Sequence, residues 1–194
     1  MEGVEPADRD LVAQCQNSDE AAFDTLVRRH QQRAFNVAYQ LLRNREDATE
    51  VAQDAFVRIY RNIESFRGEC EFTTWLHQIV VNLAHNKHRW WQRRGRALTV
   101  SLDAPVETAD GSMAGQTPTT GGGPDDEAAK AEFIQTLSAK MAALPVQFRE
   151  VLVLRNVENL SYEEIAGVMK CTVGTVKSRI ARARDALRES LKHE

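Results

Sequence analysis

Apolar residues recur at steps of three and four along most of this 194-residue chain, and the recurrence fails once, across residues 97–132. No other feature constrains the fold as strongly. A period near 3.6 gathers apolar side chains on one face of a helix, and each such face needs a partner to cover it. Phe23, Leu26, Val27, His30, Ala34, Val37, Ala38 and Leu41 form the stripe of one long helix. Ala48, Val51, Ala52, Ala55, Phe56, Ile59 and Tyr60 form a second stripe. Trp75, Leu76, Ile79, Val80 and Leu83 form a third, on a helix beginning near Phe72. A short helix over DRDLVAQCQ, ended by NSD, precedes all three. No convincing strand and no internal repeat accompany them.

The aperiodic segment is rich in Gly, Pro, Thr and Asp, the composition of a flexible linker. The expected fold is therefore all-α: two small helical domains, 8–96 and 131–192, joined by a flexible acidic linker over 97–130. An apolar content of 42% suffices for two modest cores. Beyond the linker, FIQTLSAKMAAL is helical and stops at Pro145. Pro145 then suits the first turn of the next helix, where its missing N–H costs little. That helix, PVQFREVLVLRNV, carries Phe148, Val151, Leu152 and Leu154 as its apolar residues. Ser161 and Glu164 have the spacing of a capping box opening SYEEIAGVMK. A break at Lys170–Cys171 and an N-cap at Thr172 introduce the last helix, so the C-terminal domain ends in a helix-turn-helix.

Charge is divided along the chain. The net charge of −3 averages over −5 in residues 1–71, +5 in 72–96, −6 in 97–132 and +3 in 133–194. Two basic zones are thus separated by an acidic strip, as expected of segments with different partners. The start, MEGVEPADRD, has no apolar run, and no stretch approaches the roughly 20 apolar residues of a membrane span. Cys15, Cys70 and Cys171 are odd in number and far apart, which suits a reducing compartment rather than a disulfide framework. A cytoplasmic location is expected.

On the last helix, Val173, Val176, Ile180, Ala183 and Leu187 step by three and four and should face the core. Thr175, Ser178, Arg182 and Asp185 then point away, with Lys177 and Arg179 on the flanks. Such a helix fits the DNA major groove, Arg reading guanine edges and the others gripping phosphate. A solvated basic face is the plainer alternative. The second basic zone, NLAHNKHRWWQRRGR, places Thr74, Gln78, Asn82, His85 and Arg89 on one polar face, with Asn86 a turn beyond Asn82. Amides beside basic residues can bond base edges, tryptophans can stack on bases, and Lys87, Arg89 and Arg93 can track phosphates. Each tryptophan taken singly is better read as core: Trp75 and one of Trp90 and Trp91. Upstream, SFRGECEFTTW breaks the helices at Arg67–Gly68 between Phe66 and Phe72, a loop able to hold an unstacked base. The helix over 46–60 instead exposes Glu46, Asp47, Glu50, Gln53 and Asp54, an unsuitable surface for DNA that reads either as a solvated acidic face or as a surface for a protein partner.

Catalytic patterns are missing: there is no phosphate-cradling glycine loop, no H-E-x-x-H and no G-x-S-x-G. His85 and His88 lack a Cys or acid at ligand spacing, and His30 sits in an apolar stripe. No catalytic residue, metal or cofactor is expected.

Two stretches carry a resemblance. EDATEVAQDAFVRIYRNIESFRGECEFTTWLHQIVVNLAHNKHRWWQRR is similar to the second region, and LPVQFREVLVLRNVENLSYEEIAGVMKCTVGTVKSRIARARDALRESL to the fourth, of bacterial extracytoplasmic-function sigma factors. The wording resembles the sigma-E-like branch, with Ala181 standing where that pattern usually has a bulky aromatic. The resemblance implies a transcription initiation factor that binds core RNA polymerase and promoter DNA. Asp47, Glu50, Gln53 and Asp54 would dock on the β′ clamp helices, with further contact to the β subunit. Phe66, Arg67, Gly68, Phe72, Asn82, Asn86, Lys87, Arg89 and Arg93 would serve the −10 element, the loop 65–72 taking a flipped non-template base. Thr175, Lys177, Ser178, Arg179 and Arg182 would serve the −35 element. The linker would thread near the template channel and RNA exit path. An anti-sigma factor, membrane-anchored or not, is an implied partner, with no insertion of this chain into the membrane. Rival readings are a stand-alone helix-turn-helix regulator, which leaves 8–96 without a role, and a sigma-mimicking decoy, which has no need of Asn82, Asn86, Lys177, Arg179 and Arg182.

Overall fold

The computed structural model describes residues 6–94 and 124–192, and among these every regular element is helical. They fall into two units, each with its own core.

In the first unit, α1 (Asp8–Gln16) leads into α2 (Glu20–Leu42), α3 (Arg45–Asn62), a single 3-10 turn (Ile63–Ser65) and α4 (Phe72–Arg93). Local chemistry sets the ends. The Asp19 carboxylate accepts the N–H groups of Ala21 at 2.9 Å and Ala22 at 3.2 Å, satisfying the free donors at the start of α2. Arg43 closes α2 in the left-handed conformation, φ 54°, its N–H donating to the Tyr39 carbonyl at 2.8 Å. The Asn44 side chain then accepts from Asp47 N–H at 2.9 Å and starts α3. So short a link folds α3 back along α2, and α4 packs against both.

The stripes expected of α2 and α3 are largely the core: Leu26, Ala34, Val37, Ala38, Leu41, Ala48, Val51, Ala55 and Ile59 are buried. Three placements differ. Tyr60 is 54% exposed, at the edge of a stripe centred on Ile59 and Ile63, with the Phe23 ring edge-on to it at 5.0 Å. Thr74, assigned above to a polar face, is buried, because α2 and α3 together cover a wide arc of α4 that also takes in His77 and Val81. Of the tryptophans, Trp91 is buried, whereas Trp75 is partly covered and Trp90 is at the surface. His30 is buried with its Nε2 2.7 Å from Asp8, which also accepts from Arg29 at 2.7 Å. Burial pushes the imidazole below its ordinary value, against the opposing pull of Asp8.

In the second unit, α5 (Pro124–Ala143), α6 (Val146–Leu152) and α7 (Tyr162–Met169) precede α8 (Val173–Lys192). Both α6 and α7 pack on α8, as does α5. The start of α5 is a correction: residues 124–130, expected in the linker, are helical, opening on a proline followed in sequence by three acids, a helix-start pattern. The rest of the expected linker, 97–123, and residues 95–96 lie outside the described residues. Pro145 precedes α6 as its N-cap, and the helix relaxes into a π-helical turn over Val153–Val157. Arg149, unremarked in the sequence, is buried and donates to the carbonyls of Met141, Ala142 and Leu144, so α6 satisfies the last turn of α5. No disulfide joins Cys15, Cys70 and Cys171. Among the described residues no helix is long and apolar enough to cross a membrane.

Candidate nucleic-acid and partner interfaces

The helix-turn-helix is built by caps. Ser161 Oγ accepts Glu164 N–H at 3.2 Å while the Glu164 carboxylate accepts Ser161 N–H at 2.8 Å, the full reciprocal box. Lys170 ends α7 in the left-handed region, φ 50°, and Cys171 N–H donates to the Ala166 carbonyl at 3.0 Å. Thr172 Oγ1 accepts Thr175 N–H at 3.2 Å and starts α8. Val176, Ile180 and Ala183 are buried, so the opposite face is open. Lys177, Ser178 and Arg182 are exposed on it, and Arg179 is half-buried. Thr175 is half-buried too, its hydroxyl 2.9 Å from that of Thr172. Ser178 Oγ turns back to the Thr175 carbonyl at 3.0 Å. Lys177 also lies 6.0 Å from the Tyr162 ring centre, which Arg155 approaches at 5.2 Å. Lys177 and Arg182 thus present exposed cations on this face, with Arg179 beside them.

The loop entering α4 has a fixed root and an open tip. Phe66 stacks on Trp75, centroids 4.6 Å apart and planes at 22°. From Arg67 to Glu71 every residue is exposed, and Gly68 adopts φ 70°, a conformation that disfavours any side chain. Phe72 corrects the expectation for this site. It is only 3% exposed, edge-on to Trp75 and 5.2 Å from the His30 ring, because it opens the core stripe one turn before Leu76. Its ring is spent on the core and is not open to a base. On α4, Asn82 is half-buried, Asn86 is exposed and accepts from Arg89, and Arg89 and Arg93 are exposed. Arg94 lies 4.3 Å over the Trp90 ring.

The acidic face of α3 and the basic face of α4 meet. Lys87 Nζ is 3.0 Å from Asp47 Oδ1 and 2.6 Å from Glu50 Oε2. The Lys87 and Asp47 side chains are 19% and 13% exposed, that of Glu50 60%. Burial pushes the Lys87 ammonium down, but its bonds to Glu50 and Asp47 raise it, and the net direction is upward. Lys87 is therefore engaged with carboxylates where the sequence assigned it to phosphate, and Asp47 is largely covered. Glu50, Gln53 and Asp54 remain exposed, continued along α3 by Val57 and Tyr60. This pairing gave no signal in the sequence, since 40 and 37 residues separate the partners. The described residues hold no cluster of three metal-ligating side chains.

Sequence families described as Sigma-70 region 2 and Sigma-70, region 4 match residues 26–95 and 134–187. The chain is 37% identical to the RNA polymerase sigma-H factor of Pseudomonas aeruginosa over 184 residues, 95% of this chain and 93% of that one. It is 36% identical to the ECF RNA polymerase sigma-E factor of Haemophilus influenzae, over 95% of each chain. Among solved structures, CnrH in complex with the cytosolic domain of CnrY is similar, with a TM-score of 0.69 and 26% identity, covering 97% of this chain and 99% of that one.

Proposed function

The chain belongs to the sigma-70 family, in its extracytoplasmic-function group, and from that premise we propose that its two helical units divide the reading of a promoter between them. It is an RNA polymerase sigma factor, which brings core polymerase to promoter DNA. The second unit takes the −35 element as duplex, with α8 in the major groove and Lys177, Arg179 and Arg182 at base edges and phosphates. Thr175 and Ser178 hold the start of that helix and add backbone-side contacts. The first unit takes the −10 element as a single strand. The exposed tip Arg67–Gly68 with Phe66 at its root receives an unstacked base, Asn82 and Asn86 bond base edges, and Arg89 and Arg93 follow phosphates. Glu50, Gln53 and Asp54 dock on the β′ clamp of the polymerase, with Asp47 acting from beneath, and the β subunit is a further contact.

The observation that carries this reading is the combination, in one chain, of a capped helix-turn-helix exposing Lys177 and Arg182 with a second unit exposing a glycine-tipped loop ahead of α4 and, further along that helix, Asn86, Arg89 and Arg93. A lone operator-binding regulator needs only the former. Neither unit needs strong affinity alone, because one polymerase presents both elements and their contributions combine through effective concentration. The chain works in the cytoplasm as an initiation factor and not as an enzyme. It is held inactive by an anti-sigma partner, a reading supported by the similar protein CnrH having been solved with the cytosolic domain of another protein.

Run-off transcription with purified bacterial core polymerase over a pool of promoter fragments tests the proposal. Wild type should yield specific starts, weakened both by Asn82→Ala/Asn86→Ala and by Arg182→Ala. Absence of core binding, or starts indifferent to both variants, would overturn it.

A further inference from the structure

We propose that Gln16, at the end of α1, is a positioning residue for the base-binding loop. It rests on the reading of that loop given above. Helix α1 lies outside the matched stretch 26–95, and nothing in the promoter reading uses it. Yet the Gln16 amide nitrogen donates to the Ile63 carbonyl at 3.0 Å and to the Phe66 carbonyl at 2.8 Å. These two carbonyls bracket the 3-10 turn from which the loop departs, and Phe66 N–H itself donates to Ile63 at 3.1 Å.

The root of the loop is also held by burial of Ile63, by the Phe66–Trp75 stack and by the Ser65 hydroxyl, which donates to the Asn62 carbonyl at 2.7 Å. The stack and the Ser65 bond are made within the α3–loop–α4 stretch, whereas α1 packs on the turn from outside it. Gln16 reaches the turn from a separate helix, and it does so with both hydrogens of one NH2 group. Helix α1 is itself anchored, by burial of Leu11, Val12 and Cys15 and by Asp8 bonding Arg29 and His30. Beyond the turn, residues 67–71 of the loop tip are all exposed. Binding an unstacked base orders that tip, and the cost falls when the root is already fixed. Glutamine fits this position by length and by chemistry, since asparagine is one methylene shorter and glutamate of the same length offers no donor.

The test uses the full chain assembled on core polymerase, with fork templates carrying the −10 strand recovered by run-off transcription, unpaired. Each template is paired with one altered at the flipped base. Gln16→Met keeps the length and removes both donors; Gln16→Glu turns donors into acceptors. Both should lower the preference for the correct base, Gln16→Met by about tenfold, the factor corresponding to roughly one net hydrogen bond. Affinity for core polymerase and for −35 duplex should stay unchanged. A purely structural loss would reduce binding to both templates alike and leave their ratio intact, and that result overturns the proposal. Asn82→Ala/Asn86→Ala separates the two levels. If that variant binds the −10 strand as well as wild type, the reading of the first unit fails. If it binds poorly while Gln16→Met keeps its base preference, only the role of Gln16 fails.

Discussion

Replacing Lys87 by methionine keeps the apolar stem and removes the charge, which makes it a direct probe of where that charge acts. In the structure it acts on Asp47 and Glu50, at 3.0 and 2.6 Å. The two bonds differ in environment. Glu50 is 60% exposed, and an ion pair in that setting contributes about 0–0.5 kcal/mol. Asp47 is 13% exposed, and losing a charged partner there costs about 1–1.5 kcal/mol. Lys87→Met should therefore destabilise the first unit by about 1–2 kcal/mol, lowering its melting temperature by roughly 4–8 °C per kcal/mol in a unit of this size. All three tryptophans, Trp75, Trp90 and Trp91, lie in α4, so tryptophan fluorescence follows this unit alone within the full chain. A double-mutant cycle with Asp47→Asn should return about 1 kcal/mol of coupling, and one with Glu50→Gln under about 0.5 kcal/mol. The sign with pH follows from the raised Lys87 value. Its contribution is complete below the ordinary lysine value of 10.5 and is lost as pH rises through the folded value, so wild type and variant converge in alkali. If Lys87 instead served phosphate, the variant would melt with wild type and the salt slope of −10 strand binding would fall by about 0.7. That outcome would refute the carboxylate assignment.

Three further outcomes are expected. Ser161→Ala removes both bonds that the Ser161 hydroxyl makes in the capping box and should cost the second unit about 1 kcal/mol, seen in the far-ultraviolet melt with the tryptophan transition unmoved. Arg182→Ala should weaken the full chain's binding to its −35 duplex by about 1–3 kcal/mol and relax preference at one base pair; uniform weakening across sequences would make Arg182 a phosphate contact. Burial lowers His30 against the pull of Asp8, with Arg33 and Arg29 also pushing it down. Its contribution to stability is thus present above the ordinary histidine value of 6.5 and lost as pH falls through the folded value. Chemical unfolding of wild type followed by fluorescence should weaken between pH 7.5 and 5, and His30→Gln should flatten that dependence.

What the sequence made legible was local. Helical stripes, the Ser161–Glu164 box and the Pro145 boundary depend on residues a turn apart, and the box, the boundary and most of the stripes stand where their spacing put them. Phe72 was legible and missed: it precedes Leu76 by four and Val80 by eight, so the core stripe extends back to it. Counting it with the loop gave weight to an aromatic-flanked pattern over the period. Tyr60 failed in the opposite sense, lying at the edge of a stripe whose centre runs through the buried Ile59 and Ile63. Arg149 is a charged residue in an apolar run, and only the meeting of α5 and α6 shows that three carbonyls require it.

Lys87 exposes a deeper limit. Segment charges treat the acidic residues 1–71 and the basic residues 72–96 as separate fields with separate partners. Folding lays α4 against α3 and pairs one of its three cations with two carboxylates from the opposing segment. Charge per segment is then not charge per face. The face that α4 presents rests on Arg89, Arg93 and Arg94, and the face of α3 on Glu50, Gln53 and Asp54. Lys87 and Asp47 lie between them, where a substitution at either one alters both faces.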